Sequence, residues 1–401
     1  MLTYVDALKI VQETVSTLPL QTQPLSAAAG LVLAAPARAY WDMPRWDNSA
    51  MDGFAVASQA LSSSDGLEIV GSSFAGHPYD NTLQPGEAIQ ITTGAPLPDG
   101  ADTVIPIEDA IENGSSLRWA KSVQPKQHVR YRGEEYRANE VLLERGTILQ
   151  AGAIGLLASA GVTEVEVYPR PHVAVFSTGD ELVELGQELG PGQIVNSNLL
   201  YLCARLRECG CTVTSLGIVE DRSENLDQLI EQAKLADLLL STGGVSVGEK
   251  DLVQQTLQQH GFERKFWKVA IKPGKPVLFG LLDGKPCFGL PGNPAATAAT
   301  FELFVLPALR ILAGLPAENR KIPAALLHEV KGGSKREAFL WAHYHWHDGE
   351  CRVEVPQRQG SGQTRSVQGA NALLSVPIGS ADLSAGDKVK IIPLDFRYGE
   401  M

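Results

Sequence analysis

Lys272 and Lys275 flank Pro273 and Gly274, with Pro276 following, in a segment (residues 268–297) that reads KVAIKPGKPVLFGLLDGKPCFGLPGNPAAT. Two ammonium groups therefore sit on a turn with few backbone conformers. Further along, Gly289, Pro291, Gly292, Asn293 and Pro294 lead into an Ala-rich apolar run, Ala295–Leu309. Asn is a favoured helix N-cap and Pro is favoured at the first helical position, so Asn293–Pro294 reads as a helix start. A helix N-terminus offers unpaired N–H groups to an anion, and both lysines can reach the same ligand. The chemistry expected here is the holding of phosphate or another oxyanion.

Three loops follow predicted strands in this half of the chain: Ser177–Glu181, Ser241–Asp251 and Gly289–Pro294. Gly179, Gly243, Gly244 and Gly292 allow close backbone approach, and Thr178, Ser241 and Ser246 add hydroxyl donors. Asp180, Glu181 and Asp251 supply carboxylates suited to Mg²⁺, a hard cation. The plainer reading, that such residues only end strands and cap helices, serves for one loop and weakens for three at one sheet edge. No loop has the G-x-x-x-x-G-K-[ST] or G-x-G-x-x-G pattern, so neither a P-loop nor a dinucleotide fold is indicated. In the N-terminal half, Arg45–Ala55 is too polar for a core element and offers Asp52. Thr92–Pro96, with Thr93, and the charge-dense Arg130–Glu135 are similar. Each of these three, taken singly, reads as solvated surface. His343, His345 and His347 alternate on a predicted strand, about 7 Å apart by strand rise. That spacing favours an exposed strand face over a metal site, with Tyr344 and Trp346 toward the core.

The elements that must position these residues follow from periodicity. A helix is expected over about Thr3–Leu18, stopped by Pro19. Short alternating runs over Leu67–Glu135 predict a β lobe, and Gly152–Ala160 a short helix. After Pro169–Pro171 strands and helices alternate, with strands His172–Ser177, Thr212–Val219 and Leu238–Ser241. The helices are Asn198–Glu208, Ser223–Ala236, Lys250–His260 and a long one over 295–313. That alternation predicts an open, mostly parallel sheet with helices on both faces and ligands at the strands' carboxyl ends. From Lys321 a strand pattern resumes, enough for a small barrel or sandwich.

With 401 residues the chain exceeds one ordinary core. Its hydrophobic share of 44% and charged share of 20% are those of a folded soluble protein. A net charge of −12 argues against nucleic-acid binding and against an anionic membrane surface. Met1–Ser16 does not resemble a signal peptide, and Phe301–Leu315 reads as too short for a membrane span, so a cytoplasmic location is expected. The five cysteines form no C-x-x-C pair and read as buried thiols.

Taken in order, DNSAMDGFA (47–55), TTGAPLPDGAD (92–102), RYRGEE (130–135), FSTGDEL (176–182), STGGVSVGEKD (241–251), FWKVAIKPGKPVLFG (266–280) and GLPGNPAA (289–296) resemble the molybdopterin molybdenumtransferase family. These are the molybdenum insertases that include the E domain of gephyrin. The stretches are collinear over most of the chain, whereas the 170–313 unit by itself also resembles the preceding adenylyltransferase. The resemblance implies four domains: a discontinuous, elongated helical domain (1–42 and 136–168), a small β lobe (43–135), an α/β molybdopterin-binding domain (169–318) and a C-terminal β-barrel (319–401). It implies adenylylated molybdopterin and molybdate as substrates, AMP and molybdenum cofactor as products, and Mg²⁺ as helper. It further implies a homodimer whose site is completed by the partner's β lobe, and contact with the molybdopterin adenylyltransferase. By position, Asp52 and Thr93 match the family's β-lobe site. Glu181, Asp251, Lys272, Lys275, Pro291 and Pro294 match that of the α/β domain, and Asp221 its acid after the second strand. Arg365 with Ser361 or Ser366 matches the polar C-terminal loop. Glu135 stands where members often carry Asp, and Phe54 where they often carry Tyr. Two other readings of these residues are a molybdopterin-binding paralogue without turnover and an adenylyltransferase using ATP.

Overall fold

A computed structural model describes residues 1–62, 66–219, 223–244 and 252–394. Asp221, Ser246 and Asp251 lie outside the described residues. The chain divides into two compact units, one of Met1–Thr22, Gly30–Ala34 and Glu166–Met401, the other of Gln23–Ala29 and Ala35–Val165. The stretch 1–42 is thus split, its first helix going with the first unit.

In the first unit a six-stranded sheet runs in the order Thr212–Val219, His172–Thr178, Leu238–Thr242, Lys285–Leu290, Leu278–Leu282, Glu263–Trp267. The first four strands are parallel. The remaining two turn the sheet antiparallel, because Asp283 (φ 50°) and Gly284 (φ 75°) make a tight hairpin between Leu282 and Lys285. Successive side chains on a strand point to opposite faces. Val173 and Val175 pack in the layer of helix Ser197–Glu208 and the long helical run. Ala174 and Phe176 pack with Leu229, Ile230, Val253 and Leu257 of helices Ser223–Ala233 and Leu252–Gln259. The mixed α/β sheet with helices on both faces is as its sequence pattern requires. The chain leaves the central strand His172–Thr178 to pair first on one side and then on the other. This reversal opens the crevice where such sheets take ligands.

The helix at the N-terminus covers Tyr4–Thr14, capped by the Thr3 side chain, and ends earlier than Pro19 suggests. Val15 is extended, and the Leu18 N–H instead reaches the Leu312 carbonyl (2.9 Å), satisfying an orphan group at the end of the long helical run. That run is Pro294–Thr300 in α form, Phe301–Val305 as a π turn, then Leu306–Leu312 in α form. Pro307 lacks an N–H and its ring crowds the carbonyl of residue 303, and the widened turn just before it relieves both. At 19 residues the run is long and apolar enough to cross a membrane, yet 89% of it is buried inside the fold as a core helix. Within the π turn, Glu302 receives Arg205 through Nε–Oε1 (2.7 Å) and Nη2–Oε2 (3.1 Å), with the two side chains only 2% and 4% exposed. Burial works against the Arg205 charge, but the Glu302 carboxylate outweighs it and holds the guanidinium more firmly protonated than usual.

The C-terminal part is a closed five-stranded barrel of Ile322–Leu326, Glu337–His347, Glu350–Glu354, Ala372–Val376 and Lys388–Pro393. Closure leaves no unpaired strand edge in the ring. A short strand, Ile271–Lys272, joins this barrel rather than the α/β sheet, running parallel to Glu337–Ala338. His345 and His347 are exposed and His343 half-buried, as an outer strand face requires. Trp346, expected to face the core, is instead 66% exposed. Pairing with Ala372–Val376 stops at Ala342, so among the described residues the strand's end pairs with its hairpin partner alone and the indole stays uncovered.

The second unit holds a six-stranded sheet in the order Thr103–Pro106, Gly53–Val56, Glu87–Ile91, Leu67–Ser73, Ser116–Trp119, Ala110–Asn113. Phe54 and Val56 pack on one face with Ile105 and Leu117, while Ala55 packs on the other with Ile89, Ile91 and Val104. Asn48–Ser49 pairs with Val129–Arg130.

Candidate functional site

The carboxyl ends of the parallel strands gather the predicted loops of the first unit. Thr178 ends the central strand, and its carbonyl lies against Gly243 (φ 88°), so a side chain there would strike it. Glycine is required at that close approach. The Asn198 amide donates to Thr242 Oγ1 (3.1 Å) and the Gly292 carbonyl (2.8 Å), while Thr242 Oγ1 donates to the Pro291 carbonyl (3.1 Å). Thr178, Gly179, Gly243, Gly244, Pro291, Gly292, Asn293 and Pro294 thus form one continuous rim, whereas Ser241, expected among them, is buried within the sheet with its hydroxyl on the Phe288 carbonyl (3.4 Å). The Thr178 hydroxyl is buried and has no hydrogen-bond partner among the described residues. Asp180 and Glu181 are exposed, with the Glu181 carboxylate folded back over Gly179.

The helix start at Asn293–Pro294 sits where the sequence places it, but it is not an open anion cradle. Pro294 has no N–H, the Ala295 N–H goes to the Ser361 carbonyl (2.9 Å), and the Ala296 and Thr297 N–H groups return to the Asn293 carbonyl. The Asn293 side chain does not cap the helix and donates instead to Ser361 Oγ (3.3 Å). The C-terminal loop therefore closes over the helix end. Ser361 is brought to the rim, whereas Ser366 is buried with its hydroxyl on the Gln363 carbonyl (2.9 Å). Arg365 is exposed on the same loop.

The positive charge comes from the lysine turn. Gly274 (φ 99°) is buried against Thr300 and Ala296 of the same helix, which seats the turn on the helix's side. Lys272 and Lys275 are exposed, and neither makes an ion pair among the described residues. The Val269 N–H bonds the Lys275 carbonyl (3.1 Å), and the Lys268 N–H the Val277 carbonyl (3.2 Å). Arg336, from the barrel, donates through Nη1 to the Ile271 carbonyl (3.2 Å), placing a further cation behind the turn. Neither Asn198 nor Arg336 was legible in the sequence. Their partners lie 44, 94 and 65 residues away, and no local pattern marks them.

In the second unit, Asp52 and Thr93 meet. Asp52 Oδ1 accepts the Thr93 N–H (2.7 Å) and hydroxyl (3.0 Å), so the backbone donor first and the hydroxyl second hold the carboxyl below its usual range. Arg130 and Glu135 are exposed in the same unit. Among the described residues no group of three or more His, Cys, Asp or Glu side chains gathers as a metal site.

Known proteins agree with this arrangement. Residues 2–161 match the family description "MoeA N-terminal region (domain I and II)", 174–311 "Probable molybdopterin binding domain", and 323–394 "MoeA C-terminal region (domain IV)". A molybdopterin molybdenumtransferase of Nostoc sp. is 38% identical over 92% of this chain and 88% of its own length. The chain belongs to the molybdopterin molybdenumtransferase family. A molybdenumtransferase of Haemophilus influenzae is 35% identical over 95% of this chain and 96% of its own length. Among solved structures, a molybdopterin biosynthesis MoeA protein of Pyrococcus horikoshii superposes with a TM-score of 0.86 at 31% identity, covering 98% of this chain and 99% of that one. The family resemblance read from the collinear motifs is borne out, and with it an enzyme of molybdenum cofactor biosynthesis that inserts molybdenum.

Proposed function

We propose that this molybdenumtransferase takes adenylylated molybdopterin and molybdate and releases molybdenum cofactor and AMP. The observation that supports this most is the seating of the Lys272–Lys275 turn on the helix that also begins at the Pro291–Pro294 rim. That arrangement sets two uncommitted cations beside a glycine-lined edge. Lys272 and Lys275 hold the molybdate dianion and the pyrophosphate link, since compact ammonium groups suit tetrahedral oxyanions. Gly243 and Gly292 let the backbone approach the substrate, and the buried Thr178 hydroxyl is available to it. The pterin's own dithiolene sulfurs receive the molybdenum, so no protein thiol takes part. All five cysteines are accordingly buried, and burial pushes the Cys209 and Cys287 thiols up to about 12.

Asp180 and Glu181 offer oxygen donors only, which fits Mg²⁺ completed by substrate phosphate oxygens, with Asp251 as the third protein ligand in this reading. Such a cation, when bound, neutralises charge at the phosphorus being cleaved. Asp221 and Ser246 are assigned to the substrate on motif position, as are Arg130, Glu135, Ser361 and Arg365. The family resemblance supplies the remaining part of the reading, a homodimer in which one subunit's β lobe, with Asp52 and Thr93, serves the other's site. A cytoplasmic location and contact with the adenylyltransferase that supplies the substrate complete the reading.

The deciding experiment incubates purified protein with adenylylated molybdopterin, molybdate and Mg²⁺ and measures AMP. Molybdate-dependent AMP release is expected. Retained pterin without AMP would point to a paralogue lacking turnover, and consumption of ATP to an adenylyltransferase. Lys275→Ala is expected to weaken molybdate binding by roughly tenfold or more, the loss of one charge-assisted contact, with an unchanged unfolding midpoint.

A further inference from the structure

At the opposite end of the α/β sheet from the substrate loops lies a cavity of about 250 Å³. Its walls come from the segment before strand His172–Thr178 and the turn before strand Thr212–Val219, the amino ends of two neighbouring strands. Leu31, Tyr168 and Ala313 give it apolar sides, and Arg170 and Arg207 line it as well. It shares no lining residue with the rim or the lysine turn.

The polar capacity of this cavity is almost wholly cationic. Arg170 reaches across it, with Nη1 toward the Gly210 carbonyl (3.5 Å). Gly30 (φ 76°) makes room for that guanidinium, since a Cβ there would lie 3.3 Å from Arg170 Nη2. Arg207 is exposed, and its guanidinium has no hydrogen-bond or ion-pair partner among the described residues. The one carboxylate in the lining, Glu208, is turned to Arg205 at 3.3 Å. Two helices end at this cavity, and their carbonyl ends would repel an anion. Those carbonyls are already engaged, however: Arg205, Leu206 and Arg207 accept from Cys209, Cys211 and Gly210, and Leu309 and Ile311 accept from Ala313 and Gly314. The Arg207 N–H donors are what remains for a ligand, and Arg170 adds a second positive charge beside them.

We infer that this cavity is a second binding site, separate from the substrate site, for a small anion carried on a short apolar body. A guanidinium fork, that of Arg207, suits the planar carboxylate and the phosphate ester alike, with the Arg170 charge in the same lining and the apolar wall taking the rest of the molecule. The chain's net charge of −12 offers such a ligand no long-range attraction, so binding depends on the local pair.

The test titrates phenyl phosphate and benzoate, by calorimetry, into a chain carrying Lys272→Ala and Lys275→Ala, which removes the cations of the other site. Saturable binding of at least one probe is expected, and Arg207→Glu added to that chain should weaken it at least about tenfold, the loss of one charge-assisted hydrogen bond. Preference for phenyl phosphate assigns the site to phosphate esters, and preference for benzoate assigns it to carboxylates. Arg170→Met is the second variant, expected to weaken the same probe should Arg207→Glu disturb the fold. No saturable binding in the lysine-free chain, or binding untouched by both arginine replacements, overturns the inference. An effect of either replacement on AMP release leaves this test unchanged, because its readout is binding.

Discussion

Asp52 and Thr93 show what single side chains do in this enzyme. The carboxylate takes two donors from one residue, so its ionised form is favoured, and the shift belongs to hydrogen bonding rather than to burial. Because the folded value is lowered, the tie to Thr93 is complete above the ordinary carboxylate range and is lost as pH falls through the depressed value. Thr93→Val removes the hydroxyl donor and keeps the N–H. The Asp52 titration, followed by carboxyl NMR, is then expected to move up toward the ordinary range without reaching it, and an unmoved titration would mean the hydroxyl contributes nothing. Sequence order brought Asp52 and Thr93 onto the same candidate list through two separate strand-end turns. Their contact, across 41 residues, was beyond any local pattern.

At the scale of elements, the lysine turn depends on a buried glycine and the helix beneath it. Gly274→Ala places a methyl against Thr300 and forces an L side chain to a positive φ. The expected cost is at least ~1–2 kcal/mol of stability from the backbone term, with weaker molybdate binding, read by denaturant unfolding and by titration. The π turn beside it carries the buried Arg205–Glu302 pair. Glu302→Leu takes the bidentate carboxylate from the buried Arg205 guanidinium, which keeps its contact to Glu208 (3.3 Å), and is expected to cost roughly 3–5 kcal/mol, while adding Arg205→Met should recover much of that loss. If the double variant is no more stable than the single one, the pair is not the source of the cost. Strands and helices were legible because hydrophobic period is a local signal. The π turn and the closed helix N-terminus were not. The first follows from Pro307 meeting a helix already committed by packing. The second follows from Ser361, remote in sequence, whose carbonyl takes the Ala295 amide, while the Asn293 carbonyl takes the next two.

At the scale of the molecule, the proposed homodimer makes a sharp prediction. Chains carrying Asp52→Ala and chains carrying Lys275→Ala, each impaired separately, should regain part of the AMP-releasing activity when unfolded together and refolded as a mixture. No recovery in a mixture shown to contain mixed dimers would place both residues in one subunit's site. The fold class was readable from the order of strand and helix patterns, since alternation, then strands only, leaves few architectures open. Ile271–Lys272 is hydrogen-bonded into the barrel while the residues on either side serve the α/β sheet, so the two modules share a stitch of backbone. A chimera that exchanged the barrel between relatives at residue 319 would cut that stitch, replacing Glu337 and Ala338 opposite an unchanged strand. Grafts that carry residues 271–272 and 337–338 together are the ones expected to keep the lysines in place.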